Sequence, residues 1–294
     1  MIKAVRRSRS FRTRALRLWF GVGERVAPDA AERQAAALML TPVRRSGAAR
    51  VPVPAAEGDV THGRQAFTLE ADGLRLAGWS WGSGPVVILV HGWQGSASQM
   101  APLASALARG GYRAVMFDLP AHGSSAGRST SIPECARALR IVADAVGAGA
   151  CDAIIAHSFG ATSAIFAMAG GLKTRAAALL APAAGPAAFI DRYTRLIGLS
   201  PERVPGMIRR LEERVGLTLA EIDATLLARS LVVPALILHD RNDDQVPWSH
   251  GMEIAAAWRE STLVEVNGLG HAGLLKDTDA IRITTDFVHW HVAT

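Results

Sequence analysis

One serine of the sequence stands in a setting that can make it a nucleophile. Ser158 lies in the pentapeptide Ala156-His157-Ser158-Phe159-Gly160, after a short apolar run and before a stretch of small residues. A tight turn between a buried strand and a helix holds a serine hydroxyl above the edge of a sheet, on a strained backbone. A serine between small residues is also common in ordinary turns, so the pentapeptide predicts chemistry only together with partner residues.

Two later segments supply such partners, since Asp243 follows the apolar run at 234–239 and His271 follows the run at 262–266. A serine hydroxyl is a weak nucleophile until a base accepts its proton, and a histidine base needs a carboxylate that fixes its tautomer. Taken singly, Asp243 fits a turn and His271 fits a loop. The chain order serine, aspartate, histidine is one of the known orders of such triads, so the residues together predict a triad.

The segment His91-Gly92-Trp93-Gln94-Gly95 follows another apolar run, at 85–90. A backbone N–H at this place can bind a developing oxyanion together with the N–H of the residue after the nucleophile. This reasoning predicts that the amides of Trp93 and Phe159 form an oxyanion hole. A glycine turn without catalytic role would explain the His-Gly pair equally well.

The elements that must position these residues alternate along the chain. We predict strands at 85–90, 112–117, 153–156, 176–180, 234–239 and 262–266, most of them separated by helices, and a hairpin at 66–81 around Asp72-Gly73. Such alternation predicts an α/β fold with a mostly parallel central sheet and helices on both faces. In open α/β sheets the functional residues gather at the carboxyl ends of the strands.

Residues 184–231 interrupt this alternation and predict an inserted helical cap, with helices at 187–197, 201–215 and 218–230. The last helix is expected to begin at a capping box formed by Thr218 and Glu221. We expect the substrate pocket to be lined by two cap residues and two histidines near the nucleophile, although cap helices also need apolar faces merely to dock. These pocket residues are Phe189, Met207, His91 and His157. The predicted domains are an extension with a linker at 1–60, an α/β core at 61–183 and 232–294, and the cap at 184–231.

Composition limits the class of protein. The chain has 294 residues, of which 49% are hydrophobic and 20% charged, as in a globular protein with a large core. Cys135 and Cys151 provide neither a disulfide framework nor a zinc motif, so we expect the reducing cytoplasm as compartment. His289 and His291 do not share a helix face, and no cofactor or metal is expected.

The positive charge is concentrated at the amino terminus. The whole chain carries a net charge of +6, whereas residues 1–50 contain 12 Lys and Arg against 3 Asp and Glu. A basic segment such as 1–20 can contact an anionic membrane surface or nucleic acid, and it can also be a plain extension. We predict weak membrane-surface contact and no nucleic-acid partner. Arg14 and Arg17 interrupt any signal-peptide core, and no window is apolar enough for a transmembrane helix.

Together these motifs resemble the α/β-hydrolase superfamily, in its serine esterase and lipase-like branch. The resemblance covers about residues 61–294 and rests on H-G-W-x-G at 91–95, D-L-P-A-H-G at 118–123, A-H-S-F-G at 156–160, H-D-R-N-D-D-Q-V-P at 239–247 and G-L-G-H at 268–271. It implies Ser158 as nucleophile, His271 as base and Asp243 as acid, with Asp244 as the fallback acid. The sequence departs from the usual pattern at Ala156 and Asp240, where most members have glycine.

The resemblance implies a serine hydrolase that cleaves small-molecule carboxylic esters through an acyl-enzyme intermediate. The same triad also serves thioesterases, acyltransferases, perhydrolases and C–C bond hydrolases, and the fold does not select among them. A non-catalytic binding module on a hydrolase scaffold is a further alternative. The natural substrate, the stereoselectivity and the oligomeric state do not follow from the sequence.

Overall fold

The computed structural model describes residues 2–43, 65–71 and 73–292, and for 2–13, 71 and 188 it describes the backbone alone. Most of the predicted linker, and Asp72 of the predicted hairpin turn, therefore lie outside the described residues. The chain forms two compact units. The helical unit comprises Met1–Thr41 and Gly185–Glu221, and the core unit comprises Pro42–Ala184 and Ile222–Thr294.

Eight strands are found in the described part of the chain, and all of them belong to the core unit. In chain order they are β1 (Gln65–Ala71), β2 (Leu74–Trp81), β3 (Val86–Val90), β4 (Arg113–Phe117), β5 (Ala150–His157), β6 (Lys173–Leu180), β7 (Ala235–Asp240) and β8 (Ser261–Val266). They form one sheet in the order β1-β2-β4-β3-β5-β6-β7-β8. β1 and β2 form the antiparallel hairpin, β2 also pairs antiparallel with β4, and all other pairs are parallel. The predicted fold class is confirmed.

The described helices of the core unit alternate with these strands along the chain, and the other described helices belong to the helical unit. In chain order they are α1 (Ile2–Val26), α2 (Pro28–Met39), α3 (Ala101–Arg109), α4 (Ile132–Gly147), α5 (Phe159–Ala169), α6 (Pro186–Ile197), α7 (Val204–Val215), α8 (Ala224–Ala228), α9 (Trp248–Ala257), α10 (Gly270–Gly273) and α11 (Thr278–Val292). Short 3₁₀ helices at Ala97–Met100 and Pro201–Arg203 precede α3 and α7. Of the described helices, none is long and apolar enough to cross a membrane.

The central strands are apolar because both of their faces are covered. In β3 four of the five residues are buried, and successive side chains point to opposite faces of the sheet. Ile88 and Val90 belong to one apolar cluster, which includes residues of α4 and α5, while Val87 and Leu89 belong to another, which includes residues of α3 and α11. These two layers hold the carboxyl ends of the strands in fixed positions.

The helical unit joins the amino-terminal helices α1 and α2 to α6 and α7. Phe20 of α1, Ala35 of α2, Ile190 of α6 and Met207 of α7 lie in one apolar cluster, and each is almost fully buried. The Tyr193 hydroxyl of α6 donates a hydrogen bond to the carbonyl of Ala35. Residues near the amino terminus therefore share a core with residues that lie more than 150 positions later.

One local prediction fails, and one helix was not predicted. The capping box does form, since the Thr218 hydroxyl accepts from the Glu221 N–H and the Glu221 carboxylate accepts from the Thr218 N–H. It closes a turn instead of starting a helix over 218–230, because the Asp223 carboxylate accepts from the next backbone N–H groups and caps the five-residue α8. The sequence analysis also missed α9, which begins directly after Pro247.

Candidate active site

Ser158 lies on a sharp turn between β5 and α5, at the carboxyl edge of the sheet. Its backbone has φ 55° and ψ −123°, a conformation that is strained for a residue with a side chain. The Ser158 N–H donates to the carbonyl of Leu180, the last residue of β6, which fixes the turn. Gly160 allows the close approach of α5, because a Cβ there would collide with the His91 carbonyl oxygen.

His271 connects the serine to a carboxylate. The His271 Nε2 atom lies 2.9 Å from the Ser158 hydroxyl oxygen, and the Nδ1 atom lies 2.6 Å from Asp243 Oδ2. An Nδ1–H that donates to the carboxylate leaves the Nε2 lone pair free to accept the serine proton. The structure therefore brings the three predicted triad residues into one hydrogen-bonded line, although 113 positions separate Ser158 from His271.

Asp243, at the end of this line, is an ionised, buried carboxylate. Burial by itself would raise the pKa of Asp243, but hydrogen bonds from His239, His271 and two backbone N–H groups outweigh it and hold the pKa well below its usual range. The backbone donors are the N–H groups of Gln245 and Val246, at 2.8 and 2.9 Å from Oδ1. The side chain of Asp243 is fully buried, whereas the fallback residue Asp244 is exposed.

His239, at the end of β7, supports this carboxylate. Its Nε2 atom lies 3.0 Å from the Val246 carbonyl oxygen, which requires an Nε2–H, and 3.5 Å from Asp243 Oδ2. The ring is completely buried, and a Cβ at Gly251 of α9 would lie only 2.6 Å from its Nδ1 atom. His239 is thus fixed in place by α9, the helix that the sequence analysis missed.

Asp240 has a positioning role that the sequence analysis did not find. Its Oδ2 atom accepts hydrogen bonds from the N–H groups of Leu269 and Gly270, and its Oδ1 atom accepts from Asn242 N–H at 2.7 Å. Burial would raise the pKa of Asp240, but these donors outweigh it and lower the pKa. One carboxylate therefore connects the loop of Asp243 to the loop of His271. The only signal in the sequence was that Asp240 replaces the usual glycine.

The segments that carry the amides of Trp93 and Phe159 lie close to Ser158, and the oxyanion hole itself stays a prediction. A Cβ at Gly92 would lie 3.1 Å from the Cβ of Ser158, and the rings of Trp93 and Phe159 are 5.0 Å apart. Phe159 is the first residue of α5, where a helix offers no carbonyl partner for the N–H. Both amides therefore belong to segments that adjoin the Ser158 side chain.

Two histidines hold the loop of Trp93 in place. His91 is completely buried, its Nδ1–H donates to the Gly92 carbonyl at 2.8 Å, and its Nε2 accepts from the Leu119 N–H at 3.0 Å. His122 accepts from the N–H of Gln94, a residue with φ 55°. Both ring nitrogens of His91 bind backbone groups of these loops, and its contact with substrate stays a prediction.

His157 packs against His271. Its Nε2–H donates to the carbonyl of His271 at 3.0 Å, and the two imidazole rings lie 4.7 Å apart. Burial, with a smaller contribution from His271, lowers the pKa of His157 to about 3, so the ring is neutral at pH 7. The Nδ1 atom is buried without a hydrogen-bond partner among the described residues. Whether His157 also borders the substrate, as the sequence predicts, stays a prediction.

The other predicted pocket residues lie in the helical unit. Phe189 is half-buried on α6, and Met207 is buried in the apolar cluster of that unit. Their contact with substrate remains a prediction. Among the described residues no three His, Cys, Asp or Glu side chains are grouped to hold a metal ion. Burial raises the pKa of Cys135 and Cys151 to about 12, so both free thiols are protonated at pH 7.

Comparison with known proteins identifies the class that this fold and site define. A sequence model of the alpha/beta hydrolase family matches residues 87–282. An uncharacterized protein of Mycobacterium tuberculosis strain H37Rv is 30% identical over 229 residues, which cover 75% of this chain and 76% of that protein. The chain therefore belongs to the alpha/beta hydrolase family.

Solved structures of similar fold include several esterases. An esterase of Pyrococcus furiosus is 19% identical, with a TM-score of 0.67, and the match covers 86% of this chain and 99% of that chain. A thioesterase domain from the curacin biosynthetic pathway is 18% identical, with a TM-score of 0.58, and the match covers 76% and 98%. At these identities the likeness concerns the fold.

Proposed function

We propose that this protein is a serine hydrolase that cleaves small-molecule carboxylic esters through an acyl-enzyme intermediate. One observation carries the proposal, namely the hydrogen-bonded line from Asp243 through His271 to Ser158, with distances of 2.6 and 2.9 Å. A serine that only stabilises a turn has no need of an oriented imidazole and a buried carboxylate behind it.

In the acylation step, the Ser158 hydroxyl oxygen attacks the ester carbonyl carbon while His271 Nε2 accepts the hydroxyl proton. Asp243 stabilises the imidazolium that forms, and the N–H groups of Trp93 and Phe159 donate to the oxyanion. The bond between the carbonyl carbon and the alcohol oxygen then breaks. The leaving alcohol takes the proton from His271 Nε2, and the acyl group stays on Ser158.

In the deacylation step, a water molecule gives a proton to His271 Nε2 and attacks the acyl carbonyl carbon. The same two N–H groups stabilise the second oxyanion. The bond to the serine oxygen breaks, the carboxylic acid leaves, and Ser158 recovers its proton from His271. Every proton in this scheme moves between Ser158, His271, water and the substrate, so no metal or cofactor takes part.

Thioester hydrolysis is the second candidate, and the likeness to a thioesterase domain favours it over other acyl chemistry. The acylation step differs only in the leaving group, which is then a thiol. Acyl transfer, perhydrolysis and C–C bond cleavage would use the same three residues. For the setting of the reaction, we propose the cytoplasm and a contact with the membrane surface through basic residues 1–20.

The test is hydrolysis of p-nitrophenyl esters of graded chain length, with the matching thioesters, by the wild type and Ser158→Ala. We expect Ser158→Ala to lower kcat by about 10⁴-fold or more. Ser163→Ala is the matched control, since the buried Ser163 hydroxyl donates to the Phe159 carbonyl within the same helix, also contacts Cys135, and lies outside the Asp243–His271–Ser158 line. A fluorophosphonate probe should label the wild type and Ser163→Ala but not Ser158→Ala. A folded wild-type protein that neither hydrolyses the esters and thioesters nor reacts with the probe would favour a non-catalytic binding module.

A further inference from the structure

An apolar stripe runs along the exposed side of α1. Leu18, Trp19, Val22 and Val26 are 71, 49, 53 and 78% exposed, unusual values for large apolar side chains. Their spacing of one, four and eight residues places them on one side of the helix. Phe20, on the other side, is fully buried. We call the four exposed residues the outer stripe.

The inner side of α1 is fixed within the helical unit. The Arg17 guanidinium donates to the carbonyls of Arg195 and Leu196 at the end of α6, and the Glu24 carboxylate accepts from the Ser200 N–H at 2.9 Å. These bonds and the buried Phe20 ring set the rotation of the helix about its axis. The outer stripe is exposed because of that rotation.

Positive charge surrounds the outer stripe. Arg14 and Arg25 are exposed on α1 beside it. In the helical unit as a whole, 15 Lys and Arg stand against 8 Asp and Glu, a net charge of +7, whereas the core unit has 17 against 18. The one acidic side chain of α1, Glu24, is bound to the Ser200 N–H. The charge of the protein therefore resides in the unit that carries the apolar stripe.

We propose that the outer stripe of α1 docks on an anionic lipid membrane. This rests on the membrane contact proposed above and assigns it to Leu18, Trp19, Val22 and Val26 together with the flanking arginines. Apolar side chains enter the boundary between headgroups and acyl chains, tryptophan is suited to that boundary, and guanidinium groups bind lipid phosphates. Apolar side chains alone, or basic side chains alone, do not anchor a helix stably. A helix that carries both binds an anionic surface reversibly.

Two other occupants fit the observations less well. A nucleic acid would engage the arginines but leave the apolar stripe in water. A second copy of the chain would cover the stripe but bring two units of net charge +7 against each other. An anionic bilayer satisfies both the apolar surface and the charge.

The test is co-sedimentation of the full-length protein with vesicles of phosphatidylcholine alone or with about one quarter phosphatidylglycerol. We expect the wild type to sediment with the anionic vesicles and much less with the neutral ones. The double variant Leu18→Glu/Val22→Glu should bind at least about tenfold more weakly. Glutamate is a good helix former, so α1 should persist, and thermal unfolding checks this. Val232→Glu, at a position 74% exposed in the core unit, is the matched control and should bind like the wild type.

Several results would overturn the proposal. One is a wild type that stays in the supernatant with anionic vesicles at low salt. Another is a double variant that sediments with anionic vesicles like the wild type. A third is a wild type that does not bind vesicles but is a dimer in sedimentation velocity, together with a double variant that is a monomer. A DNA oligonucleotide that abolishes vesicle binding of both the wild type and the double variant would point to nucleic acid as the occupant instead. Ser158→Ala should bind vesicles like the wild type, so this test is independent of the catalytic proposal.

Discussion

Two buried histidines are expected to limit the stability of the folded protein in acid. His91 is completely buried and His157 is 5% exposed. Burial lowers the pKa of His91 to about 4 and that of His157 to about 3. In the unfolded chain both side chains are solvated, and each titrates near its ordinary pKa of about 6.5.

The sign and the magnitude of the effect follow from these pKa values. Below about pH 6.5 the unfolded chain binds protons that the folded protein refuses until about pH 4, so the free energy of unfolding falls as the pH falls. Between about pH 7.5 and about pH 5, each histidine lowers it by about 2 kcal/mol, and the two together by about 4 kcal/mol. Asp243 does not contribute in this range, because its carboxyl group is ionised in both states. Burial also lowers the pKa of His250, which adds to the loss.

The assay is reversible urea unfolding at several pH values, followed by tryptophan fluorescence. A loss of about 4 kcal/mol is a large part of the stability of a typical domain. His157→Gln removes one titrating ring while its amide N–H can still donate to the His271 carbonyl, so the variant should lose about 2 kcal/mol less than the wild type over this range. Val232→Gln, at a position that is 74% exposed, changes no titrating group and is the control, which should show the wild-type pH dependence. If His157→Gln shows the wild-type pH dependence, the assignment of the proton uptake to His157 is incorrect.

Two further substitutions test how the loops around the nucleophile are positioned. Gly160→Ala introduces a Cβ that collides with the His91 carbonyl oxygen. We therefore expect the free energy of unfolding to fall by about 1–3 kcal/mol and kcat to fall as well. Wild-type values in urea unfolding and ester hydrolysis would contradict the close approach of α5. Asp240→Asn replaces the carboxylate that accepts from the N–H groups of Leu269 and Gly270 by a neutral amide. We therefore expect kcat to fall about 10- to 100-fold with little change in KM. An unchanged kcat would mean that the loop of His271 holds its position without the charge of Asp240.

The sequence predicted most of the sheet because buried strands leave a strong pattern. The run Val-Val-Ile-Leu-Val of β3 and the apolar residues of β7 are recognisable since both faces of these strands are covered. The positions of Ser158, Asp243 and His271 after strand-like runs predicted that they would meet, since the carboxyl ends of parallel strands lie along one edge.

Other features depend on contacts between distant residues and leave no local pattern. The helix expected from Thr218 fails because Asp223 offers a competing cap five residues later. Asp240 departs from the family pattern, but only the structure shows that its carboxylate receives the N–H groups of a loop 29 residues away. The packing of Phe20 among α6 and α7 residues is likewise a long-range contact that local periodicity cannot predict.

The buried position of Phe20 gives the amino-terminal helices a structural role. A shortened chain that begins near residue 61 would lack α1 and α2, and Ile190, Leu211 and Met207 would lose the side chains that now cover them. Helices α6 and α7 would then expose apolar side chains to water, and such surfaces drive aggregation. Helices α1 and α2 contribute one half of the core of the helical unit, so their removal should destabilise α6 and α7.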